Sequence, residues 1–166
     1  MKVVPLLAAL PAIVAAAHPT PAPPTVPCDE IILHTKFPYR GYRLVLGAVS
    51  VPPAYLAQVV PTGQRPWAYW RKAGLVVRAG GPQVTVTVPR VWRRRAAITW
   101  GNSTGIVPSL RLTGCDAGRN VGHAYAGGFY LRSPSACLPL IFRVGSRTAT
   151  VRFGLGRRCV NPAAAP

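Results

Sequence analysis

From Val84 to Val88 the chain reads Val-Thr-Val-Thr-Val, apolar and polar in strict alternation. A period of two is the signature of a strand with one face in a core and the other in water. Tyr42 to Val51 is rich in β-branched and aromatic residues, and Leu75–Arg78, Ala96–Trp100 and Ser109–Thr113 form short apolar runs between turn signals. Tyr125–Leu131 carries a Gly127-Gly128 pair, which in a strand marks a bulge or a close backbone approach. Leu138–Val144 and Arg147–Leu155 flank Gly145-Ser146. Glycine at the first of two central positions predicts a hairpin with a type II′ turn.

Helical periodicity is almost absent. No window of twelve residues shows a clean helical period without proline or glycine. The nearest approach is Pro52–Val60, where Pro52-Pro53 can open one short helix through Ala54, Tyr55, Leu56 and Ala57. Many short strands separated by Gly and Pro predict an all-β domain, an antiparallel β-sandwich of immunoglobulin-like or similar type with about seven to nine strands. No repeat of fixed period is present.

The two ends read differently. Lys2, an apolar run from Val3 to Val14 and Ala15-Ala16-Ala17 have the layout of a secretory signal peptide over residues 1–17. The run is too short for a membrane span, which needs about 20 residues. Residues 18–27 are proline-rich and predict an extended linker. A single domain then spans 28–160, and 161–166 is a tail. Cys28 lacks the small preceding residue of a lipid-attachment site, so no lipid anchor is expected.

Export changes the reading of the cysteines. Cys28, Cys115, Cys137 and Cys159 are even in number and lack the close spacing of a metal site. They predict two disulfides, for which four cysteines allow three connectivities. The pairing expected here is Cys28–Cys159, tying the ends of the domain, with Cys115–Cys137 closing a local loop.

Composition adds one strong asymmetry. The chain holds 20 basic residues and three acidic ones, a net charge of +17, and all the basic residues but Lys2, Lys36 and Lys72 are arginine. Cleavage of the leader removes only Lys2. High-GC coding accounts for arginine over lysine but not for the scarcity of acids. Such a field attracts anionic polymers and anionic membrane surfaces. The densest basic run is Arg90-Val91-Trp92-Arg93-Arg94-Arg95, placed by Pro89 at a loop or strand edge. Guanidinium forks grip phosphate or carboxylate, and Trp92 offers a stacking face. Trp67-Ala68-Tyr69-Trp70 is a second aromatic cluster, with Trp67 and Tyr69 on one strand face and Trp70 on the other. Exposed aromatics on a sheet suit sugar rings. The candidate ligand-binding set is therefore Arg90, Trp92, Arg93, Arg94, Arg95, Trp67 and Trp70. No nucleic-acid fold signature accompanies them, so specific nucleic-acid recognition is not expected.

Catalytic chemistry is poorly supplied. The side-chain acids are Asp29, Glu30 and Asp116. Glycoside hydrolysis by paired carboxyls needs two of them at one bond, and Asp29 and Glu30 would point apart on a strand. Asp116 and His123 can form an orienting pair for Ser103 or Ser135, a minor hydrolase reading without a supporting motif. Asn102-Ser103-Thr104 reads as turn chemistry. No cofactor or metal is expected, and the chain is read as non-enzymatic: a binding module, or alternatively a structural or protein-interaction domain whose charge serves solubility.

The segments Tyr125-Ala-Gly-Gly-Phe-Tyr-Leu131, Ser135-Ala-Cys-Leu-Pro-Leu140 and Val151-Arg-Phe-Gly-Leu-Gly156 followed by Cys159, together with Trp100-Gly101 and Gly114-Cys115, carry a resemblance. The chain resembles small secreted disulfide-containing β-domain proteins of high-GC Gram-positive bacteria, a group without an assigned activity. The resemblance spans about residues 28–159. It implies export and a stapled β domain, and brings no catalytic residue with it.

Overall fold

The computed structural model describes residues 21–160, so the leader and the C-terminal tail lie outside the described residues. Fifteen strands follow in chain order. They are β1 (Thr25–Val26), β2 (Leu33–Lys36), β3 (Arg43–Val45), β4 (Val49–Val51), β5 (Tyr55–Leu56), β6 (Val60–Pro61), β7 (Tyr69–Lys72) and β8 (Leu75–Arg78). Then come β9 (Val84–Thr87), β10 (Ala96–Trp100), β11 (Ser109–Leu112), β12 (Val121–Tyr125), β13 (Gly127–Leu131), β14 (Ala136–Val144) and β15 (Arg147–Leu155). Single 3-10 turns occupy Cys28–Glu30 and Arg90–Trp92.

The strands form three sheets. One runs β1-β11-β9-β14-β15-β5, the second β10-β13-β7-β6 and the third β2-β12-β8-β4-β3. Pairing is antiparallel except for β1 with β11 and β5 with β15, which are parallel. The all-β class holds. The strand count exceeds the expected seven to nine because several apolar runs are broken by turns. Tyr42–Val51 is a hairpin of β3 and β4, split where Leu46 and Gly47 both take positive φ. Pro52–Val60 is not helical; Tyr55 and Leu56 pair in parallel with Gly154 and Leu155 as the edge strand β5. Two prolines at its start fit an edge that has few donors to offer.

The β14–β15 hairpin is the longest element. Val144 pairs with Arg147 across Gly145-Ser146, and only the glycine of the two takes positive φ, as a type II′ turn requires. Along β14 buried and partly exposed positions alternate from Ala136 to Phe142. Along β9 the alternation is incomplete, since Thr85 is buried along with Val84 and Val86. The proline-rich segment also contributes: Val26 is fully buried, and Arg111 N–H bonds to Pro24 O beside it.

One hydrophobic cluster joins all three sheets. At its centre Phe129 of β13 packs edge-on against Trp100 of β10, with ring centroids 5.7 Å apart. Its other neighbour is Phe153 of β15, at 5.1 Å, which couples the four-stranded sheet to the six-stranded one. Trp100 Nε1 donates to Ala73 O at 2.8 Å, so the buried indole loses no hydrogen bond on folding. The Gly127-Gly128 pair is a close approach, as its sequence context predicts. A Cβ on Gly128 would collide with the carbonyl of Arg71, and one on Gly127 with that of Thr99. Side chains there would push β13 off both its neighbours.

The disulfides are Cys28–Cys115 and Cys137–Cys159, which corrects the expected Cys28–Cys159 and Cys115–Cys137. The reason is the topology. β1 lies beside β11, so Cys28, two residues after β1, emerges next to Cys115, three residues after β11. β14 and β15 are hairpin partners, so Cys137 near the start of one faces the chain just beyond the end of the other. Two disulfides are compatible with an oxidising compartment.

Candidate functional site

The outer face of the four-stranded sheet carries the first candidate. Trp70 of β7 and Tyr130 of β13 are directly opposed, which puts both rings on one face. Their centroids lie 6.3 Å apart, tilted by 39°. Thr99 of β10, Lys72 of β7, Asn102 and Ile106 complete a groove of about 430 Å³. That is the scale of a small-ligand cleft. Gly101, Gly105 and Gly127 line the same groove and leave it unfilled by side chains. Among the described residues Trp70 Nε1 has no hydrogen-bond partner, whereas Trp100 Nε1 has one. The Trp70 nitrogen is itself shielded from water, so packing and not a side-chain hydrogen bond fixes the Trp70 ring.

Glu30 shapes one end of the groove. Its carboxylate accepts Asn102 N–H at 2.6 Å and Ser103 N–H at 2.8 Å, fixing the turn after β10. Bonding from the Ser103 side chain, with these two N–H groups, holds the Glu30 carboxyl below its ordinary range against the opposing effect of burial. Thr104 Oγ1 donates to Trp100 O at 3.1 Å, so the Asn-Ser-Thr tripeptide does serve as turn chemistry.

The basic run after Pro89 does not act as one patch. Arg90–Trp92 is a 3-10 turn, after which the arginines diverge. Arg93 Nε donates to Val88 O at 3.3 Å, and Arg93 lines a groove with Pro21–Pro24 and Arg143. Arg90 and Arg94 are exposed. Arg95 turns back over Trp92, its guanidinium 4.4 Å from the ring centroid. Trp92 therefore has one face covered by its own chain and is half-buried against the core. Arg95 lines a small pocket with Trp92, Ser133, Ser135 and Arg157. Next to it, Arg132 N–H bonds to Arg95 O, and the Arg132 guanidinium sits 5.7 Å from the centroid of Trp67. Trp67 thus falls near the arginine pocket and Trp70 in the aromatic groove. The structure divides the seven candidate residues among several surfaces.

Arginine is spread over the whole molecule. Arg40, Arg65, Arg78, Arg119, Arg147 and Arg152, from separate loops and strands, are all exposed. Arg132, Arg157 and Ser133 escaped the sequence reading because nothing in spacing alone brings the β13–β14 loop to the end of β15, and Tyr130 because it meets Trp70 only through the pairing of β13 with β7.

The Asp116–His123 pair does not form. His123 is fully buried in β12, its Nε2 2.7 Å from Cys115 O. Its Nδ1 lies 3.1 Å from Nδ1 of His34, directly opposite on β2. Both ring nitrogens are thereby occupied, and a carbonyl acceptor on Nε2 requires His34 to be the donor between the rings when His123 is neutral. Ser103 is engaged with Glu30, and Ser135 lines the arginine pocket, so neither hydroxyl meets the imidazole. Among the described residues no group of three or more His, Cys, Asp or Glu is placed to hold a metal ion. No helix among them is long and apolar enough to cross a membrane. Comparison with protein-family models, curated proteins and solved structures gives no match for this chain, which leaves these side chains as the basis for any functional reading.

Proposed function

We propose that this protein is a secreted, non-catalytic binding module for anionic glycan polymers, acting at the cell envelope or outside the cell. The carrying observation is the Trp70–Tyr130 pair on the outer face of β7 and β13, in a groove open enough for a sugar ring. Apolar sugar faces stack on such rings, and Lys72, Thr99 and Asn102 offer hydrogen bonds around the rim. The exposed arginines and the charge of +17 draw an anionic chain toward the surface from several directions. The leader and the two disulfides support action in an oxidising, extracytoplasmic setting.

The test is titration of the processed protein against neutral and anionic glycans at rising salt. Affinity for an anionic member is expected to fall with salt as screening grows. Trp70→Ala and Tyr130→Ala should each weaken it roughly tenfold, the scale of one stacking contact. Unchanged affinity in both variants refutes the groove as the sugar site.

A protein-interaction role is the second reading, favoured by one observation. Ile32 and Leu33, beside the edge strand β2 and on it, are 64% and 56% exposed. If that strand is the working surface, Leu33→Lys abolishes partner or self association and leaves glycan titrations flat for every variant.

A further inference from the structure

The pocket beside Trp92 has a composition that the aromatic groove lacks. Its volume is about 130 Å³, and its walls are Arg95, Arg157, Ser133, Ser135 and Trp92. Buried Leu131 and Ala136 form an apolar floor. None of the three acidic side chains of the protein lines it. From these observations we infer that the pocket binds a tetrahedral oxyanion, a phosphate or sulfate group.

Three chain segments build it. The turn at Arg90–Trp92 delivers Trp92 and Arg95, the β13–β14 loop delivers Ser133 and Ser135, and the turn after β15 delivers Arg157. Two constraints hold the last two together. Gly156 takes φ +67° and rests against the Pro134 carbonyl and Ser135, so closely that a Cβ would lie 2.6 Å from that oxygen. The Cys137–Cys159 disulfide ties down the chain on both flanks, two residues after each of Ser135 and Arg157.

Arg95 is fixed before any ligand arrives. Its guanidinium lies on the Trp92 ring, and its Nη2 donates to Val91 O at 3.4 Å. One N–H is thus committed, and the remaining donors of the planar fork are free for an anion. Two guanidiniums lining so small a volume repel each other, and a dianion between them reverses the sign of that interaction. The two serine hydroxyls add donors from a third direction. Donors converging from separate segments suit an oxyanion with oxygens on several sides, where a planar carboxylate presents only two. The space equals roughly four waters, enough for an ion of five heavy atoms and not for a sugar with its hydroxyls.

The inference deepens the proposed function and rests on it in one respect: the ion is taken to be an ester group on the bound polymer. The probes are inorganic phosphate and sulfate, with chloride as the control, followed by calorimetry and by Trp fluorescence at constant ionic strength. Saturable binding of phosphate or sulfate, absent for chloride, is expected. Arg157→Ala, at an exposed position, should weaken it at least tenfold, as should Ser135→Ala together with Ser133→Ala. Trp70→Ala should leave ion binding unchanged while weakening the polymer. Equal ion affinity in wild type and Arg157→Ala, or a response no different from chloride, overturns the inference. Competition separates the sources. Phosphate that displaces a phosphate-bearing glycan from the wild type, with the Arg157→Ala protein already weakened for that glycan, identifies an ester on the polymer. Saturable phosphate binding without displacement identifies the free ion, and overturns only the link to the polymer.

Discussion

Removing each disulfide as a pair of alanines should separate the two cross-links by stability and verify the pairing at once. Cys28–Cys115 spans 87 residues and Cys137–Cys159 spans 22. In the loop-closure model the longer link contributes about 4.6 kcal/mol at 25 °C and the shorter about 3.4 kcal/mol. All four cysteines lie outside the fully buried core, and Cys28 is exposed, so alanine removes little packing. The difference between C28A/C115A and C137A/C159A should therefore be about 1.2 kcal/mol, all of it from the unfolded chain. On a domain of this size that is roughly 4 °C in melting midpoint, readable by calorimetry. Thiol titration of the denatured variants supplies the second reading. C28A/C115A should expose no free thiol, because its remaining cysteines are still joined. Under the alternative Cys28–Cys159 and Cys115–Cys137 pairing the same variant loses both links and shows two thiols. A larger loss for C137A/C159A refutes the entropic argument, and free thiol in either variant refutes the connectivity.

Glu30 gives the acid limb of stability. Its folded carboxyl is held below the ordinary value of 4.5, so its contribution is complete above that pH and disappears as pH falls through the lowered folded value. Glu30→Gln should lower the melting midpoint at neutral pH and flatten the pH dependence below 4.5; parallel wild-type and variant curves there contradict the assignment. Gly128→Ala drives a Cβ into the backbone of β7 and should cost about 3 kcal/mol by urea melt. Gly145→Ala, with positive φ but open space around it, should cost only about 1 kcal/mol, and equal losses at both sites contradict the steric account.

What the sequence made legible follows from which interactions are local. The β14–β15 hairpin depends on two apolar runs and the dipeptide between them, and all three are contiguous. Leu75–Arg78 and Ala96–Trp100 are likewise self-contained, and their bounds match β8 and β10. By contrast β12 reads Val-Gly-His-Ala-Tyr, with glycine and histidine where a strand former is expected. It is a strand because β2 and β8 pair with it on both sides. The His34–His123 contact depends on that register and has no trace in spacing. The disulfides failed for the same reason: they report which strands are neighbours, and β1 beside β11 is a parallel pairing across the whole domain. In the site, Trp70 was legible as the aromatic of the opposite face. Its partner Tyr130 was not, since the two meet only through a long-range register. The arginine run was legible as charge, yet a 3-10 turn sends its members to different surfaces.

Three open sheets present six edges, and the chain treats them unequally. β1 and β5 are two residues long, and prolines precede both; β6 is also two residues and ends in Pro61. Such edges offer too few free donors and acceptors to template a second molecule. β3 carries Arg43, and β10 is covered in part by the Ile98–Val107 bridge. Among the described residues that leaves β2, four residues with Leu33 in the open and Ile32 just before it, as the longest uncovered edge with apolar side chains. Lys36, at the far end of the strand from Leu33, is its one charged residue. Self-association on storage or mild heating should begin there, and Leu33→Lys should delay its onset.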